Sequence, residues 1–132
     1  MFRPFVSAAA LLALAAAGAA YAHHSGAMFD RSQVVTVEGE VHEWRWSNPH
    51  SWLQIHAPGE GGEPELWSFE ATSQAILARR GWRRSSLTPG EQVAVHYNPL
   101  RNGGPGGNLV AVTKADGTVL GDPPERSPDE AD

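Results

Sequence analysis

The sequence predicts an all-β, small α+β domain: a five-stranded Greek-key barrel with one short helix between its third and fourth strands. Alternating apolar and polar residues mark three strands, a helical pattern follows, and two more alternating segments come after it. Gly39 interrupts the first alternation, and a glycine inside a strand is typical of a bulge or a bend. A bent first strand and a single helix after the third strand favour an OB-fold-like barrel over a β-sandwich.

The first three strands are predicted at residues 33–46, 51–57 and 65–71. In the first, three valines share one side, and in the third, Trp67 and Phe69 alternate with polar residues. The turn between the first two strands contains Asn48-Pro49, in which the proline fixes φ. A loop with three glycines joins the second strand to the third.

The helix is predicted at residues 73–80, because Ser73 or Thr72 can cap its start and Gly81 is placed to end it. Strands four and five are predicted at residues 92–97 and 109–114, with a glycine-rich hairpin loop between them and a short extension at residues 118–120. The domain therefore spans residues 33–120, after a polar lead-in at residues 23–32. The acidic, proline-rich residues 121–132 predict a disordered tail.

The first 22 residues have the pattern of a secretory signal peptide. Arg3 supplies the positive charge, residues 5–20 carry none, and Ala20-Tyr21-Ala22 offers the small residues that signal peptidase prefers. The apolar run is shorter than a membrane span requires. The sequence thus predicts a periplasmic protein with no transmembrane segment after cleavage, whose mature chain starts at His23.

The composition narrows the possible functions. The chain has 10 Lys and Arg against 15 Asp and Glu, so that loss of Arg3 with the signal leaves 9 − 15 = −6 with neutral histidines. This negative charge argues against nucleic acid as a partner. No cysteine is present, so a metal site must use histidine, carboxylate or backbone ligands. No enzyme motif is visible, and Glu70 in the third strand is a lone carboxylate.

Histidines are the candidate metal ligands. The α-amino group and the imidazole of an N-terminal His23 can close a chelate ring on one metal ion, and His24 adds a second imidazole. His50 opens the second strand and is expected at the rim of the barrel. We predict copper as the metal, bound by His23, His24 and His50. The alternatives are a solvated, unordered terminus and a His50 that only hydrogen-bonds to the turn backbone.

His42 and His56 form a second candidate pair. Both lie on polar sides of predicted strands and at comparable distances from the Asn48-Pro49 turn, so a hairpin places them across from each other. Two imidazoles on one exposed face suit copper, zinc or nickel, and a solvated pair without a ligand is the alternative. His96, on the polar side of strand four, is a weaker candidate for a metal ligand.

Tryptophans mark a further candidate surface around the first turn. OB-type barrels bind sugars or single-stranded nucleic acid on aromatic faces. The residues predicted to bind a ligand in this way are Trp44, Trp46, Asn48 and Trp52. The alternative is that these indoles pack in the core, as Trp67 and Trp82 are expected to do.

Several short motifs follow one another in a fixed order along the chain. They are His23-His24-Ser25, Val37-Glu38-Gly39, the segment from Trp44 to Trp52, Phe69-Glu70, Arg80-Gly81-Trp82 and the segment from Leu87 to Glu91. In these motifs the chain resembles a family of small exported bacterial proteins, domain of unknown function 6152. The resemblance covers nearly all of residues 23–120, implies export, and brings no catalytic residues. The Gly103–Gly107 loop and the acidic tail lie outside the shared motifs.

Two functions are therefore predicted as alternatives. The first is an exported, non-catalytic binding protein that holds copper through its histidine-rich mature N-terminus. The second is an OB-type binding module that recognises a glycan, peptide or protein partner through the tryptophan-rich face, with no metal. A small hydrolytic or redox enzyme is a third, weaker alternative, because a single carboxylate does not make an acid–base pair.

Overall fold

The computed structural model describes residues 26–124. Its elements are β1 (Val35–Arg45), β2 (Trp52–Pro58), β3 (Pro64–Glu70), α1 (Gln74–Arg79), β4 (Gln92–Pro99), β5 (Gly106–Lys114) and β6 (Val119–Gly121). The predicted signal peptide, His23, His24 and the tail from residue 125 onward lie outside this range. Within residues 26–124, no helix has the length and apolar character needed to cross a membrane.

The six strands form one sheet in the order β3-β2-β1-β4-β5-β6, and β3 also pairs in parallel with β5. This second pairing joins Ser68–Glu70 to Gly106–Asn108 and closes β1 to β5 into a barrel. All other neighbours are antiparallel, and β6 extends the sheet beyond β5. The predicted five-stranded, OB-like barrel with one short helix between its third and fourth strands is confirmed.

Strand β1 bends so that it serves two neighbours. Its first part, Val35–Glu40, pairs with β4, and its second part, Glu40–Arg45, pairs with β2. Gly39 lies where the partners change, and a Cβ at this position would run into the carbonyl oxygen of His56. The irregular register that marks a bulge comes later, between Val41 and Glu43. The bend predicted at Gly39 and the bulge are thus separate features of one strand.

The inward side chains of the barrel strands form the core, and helix α1 with the residues after it closes one end. The largest fully buried hydrophobic side chains are Phe69, Leu53, Ile55, Val41, Val95 and Val112. Trp44 packs against Trp82 with ring centroids 5.4 Å apart, and its indole nitrogen donates to the carbonyl oxygen of Arg83 at 3.0 Å. Leu77 of α1 and Leu87 join the same cluster. Burial of these side chains is the main favourable term in folding.

The glycine-rich segment before β5 differs from its prediction as a flexible hairpin loop. Gly106 and Gly107 belong to β5 and are buried. Gly106 has φ near +142°, and a Cβ there would meet the backbone of Ser68. A Cβ on Gly107 would meet the carbonyl oxygen of Asn98. The two glycines therefore permit the close approach of β3 and β5 that closes the barrel. The alternation of residues within one segment could not predict this role, because the role depends on a strand far away in the sequence.

The residues at both ends of the described domain form contacts with the barrel strands. In the lead-in, Phe29 is buried and forms a bridge with Leu100. The Asp30 N–H donates to the carbonyl oxygen of Pro99 at 2.8 Å, and the Arg101 N–H donates to that of Met28 at 2.9 Å. At the other end, Gly121 was assigned to the tail but is the last residue of β6. The segment after Gly26 therefore lies against the end of β4.

Replacing Gly106 with alanine should destabilise the protein by about 1–3 kcal/mol, because the added methyl group pushes β5 away from the Ser68 backbone. The measurement is urea unfolding followed by circular dichroism. The matched control is Gly61→Ala in the β2–β3 loop, where a Cβ meets nothing within 4 Å and φ is not positive. Equal stability of the two variants would contradict the assigned role of Gly106.

Candidate functional site

A groove of about 1020 Å³ lies on the outside of the barrel, where β3 and β5 meet the lead-in, α1 and β6. Its lining mixes apolar and polar side chains. The residues that matter for its chemistry are Gly26, Arg31, His50, Glu70, Asn98 and Asn108. The groove is therefore a polar surface depression into which a histidine and a carboxylate both project.

The turn that carries His50 is fixed by hydrogen bonds at both of its ends. The Ser47 hydroxyl donates to the His50 carbonyl oxygen at 2.7 Å, and the Ser51 hydroxyl donates to the Ser47 carbonyl oxygen at 3.0 Å. The Asn48–Pro49 peptide bond is cis. The side-chain oxygen of Asn48 accepts the Gln74 N–H at 3.0 Å at the start of α1. Asn48, predicted to bind a ligand, thus joins the turn to the helix.

His50 forms a pair with Glu70. Its Nδ1 atom lies 3.0 Å from Oε1 of Glu70 and 3.1 Å from the carbonyl oxygen of Ala71. The Glu70 side chain is only 15% exposed, whereas that of His50 is 46% exposed. A carboxylate and a carbonyl can only accept hydrogen bonds, so Nδ1 is the donor, and in the neutral imidazole the lone pair is then on Nε2. Metal-binding histidines usually donate the N–H of their other ring nitrogen to a carboxylate or a carbonyl in this way.

Two asparagines form a chain of hydrogen bonds beside this pair. Asn108 of β5 stands opposite Glu70 in the β3–β5 register, and its amide nitrogen donates to Oδ1 of Asn98 at 3.1 Å. Asn98 is 7% exposed, and its own amide nitrogen donates to the carbonyl oxygen of Gln33 at 2.7 Å. These hydrogen bonds link the barrel closure to Gln33, two residues before β1. They thereby hold one wall of the groove in a defined position.

The two other histidines of the first hairpin meet, as predicted, on its outer face. Nε2 of His56 lies 3.2 Å from Nδ1 of His42, and the two rings meet edge to face with centroids 4.8 Å apart. Both side chains are exposed. No group of three or more His, Cys, Asp or Glu side chains able to hold a metal occurs within residues 26–124. This pair is therefore separate from His50 and its carboxylate.

His96 is held within the sheet. Its Nδ1 lies 2.8 Å from the Thr36 hydroxyl and its Nε2 lies 3.0 Å from the Thr113 hydroxyl. Burial lowers the pKa of His96 below the ordinary value for histidine. Both ring nitrogens of His96 are hydrogen-bonded to threonines of the sheet, so neither is free to bind a metal. Substitution of His96 can therefore serve as a control in metal-binding experiments on the other histidines.

The tryptophans do not form one continuous exposed face. Trp44, which the sequence predicted as a ligand-binding residue, is buried with 8% of its surface exposed. Trp46 is half-buried and packs against Trp44 with ring centroids 6.0 Å apart. Trp52 is half-buried at the start of β2. Its neighbours in sequence, Ser51 and Leu53, are buried, so Trp52 lies on the other side of the chain from them. Trp44 therefore belongs to the core, and Trp46 and Trp52 remain as the partly exposed tryptophans of the predicted surface.

Sequence reasoning missed the pairing of His50 with Glu70. It treated Glu70 as a carboxylate without a partner. The two residues lie 20 positions apart and meet because β2 and β3 pair with Trp52 opposite Glu70. The ladder continues beyond the strands through the Ala71 N–H, which donates to the Ser51 carbonyl oxygen at 2.8 Å. The sequence did contain a signal for this pairing. The β2–β3 hairpin is symmetric around its glycine loop, and that symmetry places Trp52 opposite Glu70.

The proton of neutral His50 should reside on Nδ1, because both neighbours of that atom are acceptors. Long-range ¹H–¹⁵N correlation spectra of the imidazole report the tautomer directly. In Glu70→Gln, the amide can donate to Nδ1, so the population should shift towards the form with the proton on Nε2. A wild-type His50 with its proton on Nε2 would contradict the assigned geometry.

Replacing Trp44 with alanine should cost about 3–5 kcal/mol of unfolding free energy, since it removes a buried indole from the core. Chemical denaturation measures this cost. Trp52→Ala is the matched comparison and should cost less than half as much, because Trp52 is only half-buried and lies outside the core cluster. If Trp52→Ala were the more damaging change, the assignment of Trp44 to the core would be wrong.

Comparison with known proteins gives a family and no function. No curated protein and no solved structure is significantly similar to the chain. The sequence model of a family of unknown function, DUF6152, matches residues 10–109. This match includes the turn that carries His50, strands β1 to β4 and the glycines that close the barrel. Because it covers more than half of the 132 residues, the chain belongs to this family, DUF6152.

Proposed function

We propose that this is an exported, periplasmic, non-catalytic copper-binding protein whose site combines His50 with His23 and His24 of the mature N-terminus. The observation that carries the proposal is the orientation of His50. Its Nδ1 donates to Glu70 and Ala71, so the neutral imidazole has its lone pair on Nε2, and the residue lines the groove. Export rests on the signal-peptide pattern of the first 22 residues.

The path of the lead-in supports the participation of the N-terminal histidines. Gly26 lines the same groove as His50. His24 precedes Gly26 by two residues and His23 by three, and an extended chain spans at most about 3.5 Å per residue. The N-terminal nitrogens therefore start from within roughly 10 Å of the groove wall.

The donor set favours copper. An α-amino group and imidazoles supply nitrogen ligands, and Cu(II) binds such ligands more tightly than the other divalent first-row metals do. Glu70 makes the His50 imidazole a better electron donor and holds its ring orientation. The mature charge of 9 − 15 = −6 also attracts cations. The alternative tryptophan-based binding module has less support, since Trp44 is buried.

Copper affinity of the mature protein should fall by at least about tenfold in His50→Ala, because that change removes a ligand. Isothermal titration with Cu(II), beside Zn(II), measures this, and Cu(II) should bind more tightly. His96→Ala is the matched control, since His96 bonds within the sheet and does not line the groove. A protein with one extra residue before His23 should also bind more weakly, because it loses the N-terminal chelate.

Two results would overturn the proposed function. One is the absence of copper uptake by the correctly processed protein at micromolar concentration. The other is an equal copper affinity in His50→Ala and His96→Ala. In either case the groove would have to be considered as a site for an organic ligand. Mass spectrometry of the exported protein establishes whether the mature chain begins at His23.

A further inference from the structure

We propose that His42 and His56 form a second, independent site for a divalent transition metal on the outer face of the β1–β2 hairpin. The site is of a different kind from the groove. It contains two surface imidazoles from neighbouring strands, and it requires neither the N-terminus nor His50. Imidazole nitrogen suits Zn(II), Cu(II) and Ni(II), which are therefore the class of ion expected.

The bulge in β1 sets the position of His42. Val41 pairs with Ile55 and Glu43 pairs with Gln54, so His42 is the additional residue without a partner in this register. A bulge of this kind re-aims a side chain. His56 pairs with Glu40 on the other side of the irregularity. As a result, the ring of His42 meets that of His56 although the two residues are not opposite each other in the ladder.

The separation of the two nitrogens fits a shared metal ion. Zinc–imidazole bonds are roughly 2.0–2.1 Å long, so two such nitrogens are about 2.9 Å apart at a right angle and about 3.4 Å apart at the tetrahedral angle. The observed distance from Nε2 of His56 to Nδ1 of His42 is 3.2 Å. It falls between the two values. The two nitrogens share a hydrogen bond, so binding of a metal ion replaces that bond, and the shared proton is released or moves to the other nitrogen of its ring.

The surroundings leave room for the remaining ligands. Both histidines are exposed, so water can complete the coordination shell. Glu40, the cross-strand neighbour of His56, shares the exposed face and adds a negative charge nearby. Residues 26–124 contain no group of three potential metal ligands, so the protein supplies two ligands here. A site of this kind should be weaker than the proposed groove site.

The two sites cannot share one metal ion. His50 precedes β2, whereas His56 lies four residues beyond Trp52 within β2, and a strand advances about 3.3 Å per residue, so His56 lies roughly 13 Å along the strand from its start. The pair can therefore be tested while the groove site is silenced. The suitable background is the full mature chain carrying His23→Ala, His24→Ala and His50→Ala.

In that background, titration with Zn(II) alone should shift the imidazole signals of His42 and His56 in ¹H–¹⁵N spectra and leave those of His96 unchanged. Adding His42→Ala or His56→Ala should weaken this binding by at least about tenfold, and the double change should weaken it little further, because either residue alone leaves one ligand. His96→Ala is the matched control and should keep the binding.

Thermal melts with and without Zn(II) separate lost binding from lost folding. Zn(II) should raise the melting temperature of the background protein and not that of the folded His42→Ala or His56→Ala variants. Unchanged imidazole signals in the background protein, or zinc binding that survives both single changes, would overturn the proposal. Because the groove ligands are absent from every sample, failure here leaves the proposed copper site untouched, and success does not depend on it.

Discussion

The parallel pairing of β3 with β5 is the constraint on which the rest of the structure depends. It converts a curled sheet into a closed barrel, and it is possible only because Gly106 and Gly107 have no side chains to hold the strands apart. The same contact places Asn108 opposite Glu70 and thereby builds the wall of the groove. Stability and the candidate site therefore share one structural cause.

The groove is formed by segments that pack around the β3–β5 pairing. The lead-in lies against the end of β4 through Phe29 and Asp30, and β6 extends the sheet beyond β5. His50 enters from the first turn, whose geometry is fixed by serine hydroxyls. In OB-type barrels, the loop between the first two strands contributes to ligand binding, and His50 stands in that loop.

The histidines of this small domain occupy three chemically distinct environments. His50 lines the groove and has one ring nitrogen held by a carboxylate. His42 and His56 contact each other on an exposed face. His96 lies between two threonine hydroxyls and has a pKa lowered by burial. Residue type alone therefore does not define a metal ligand here; the partner of each ring nitrogen does.

The order of the elements and the bend at Gly39 could be predicted from the sequence, because strand alternation is a local property. Hairpin symmetry predicted His42 and His56 on one face, but the contact between their rings also depends on the bulge between Val41 and Glu43. Three features became visible only in the fold: Gly106 and Gly107 close the barrel, Trp44 is buried, and Glu70 pairs with His50. Each of these depends on contacts between segments far apart in the chain. Alternation within one strand indicates which side of it a residue occupies, but what covers that side is set by other strands.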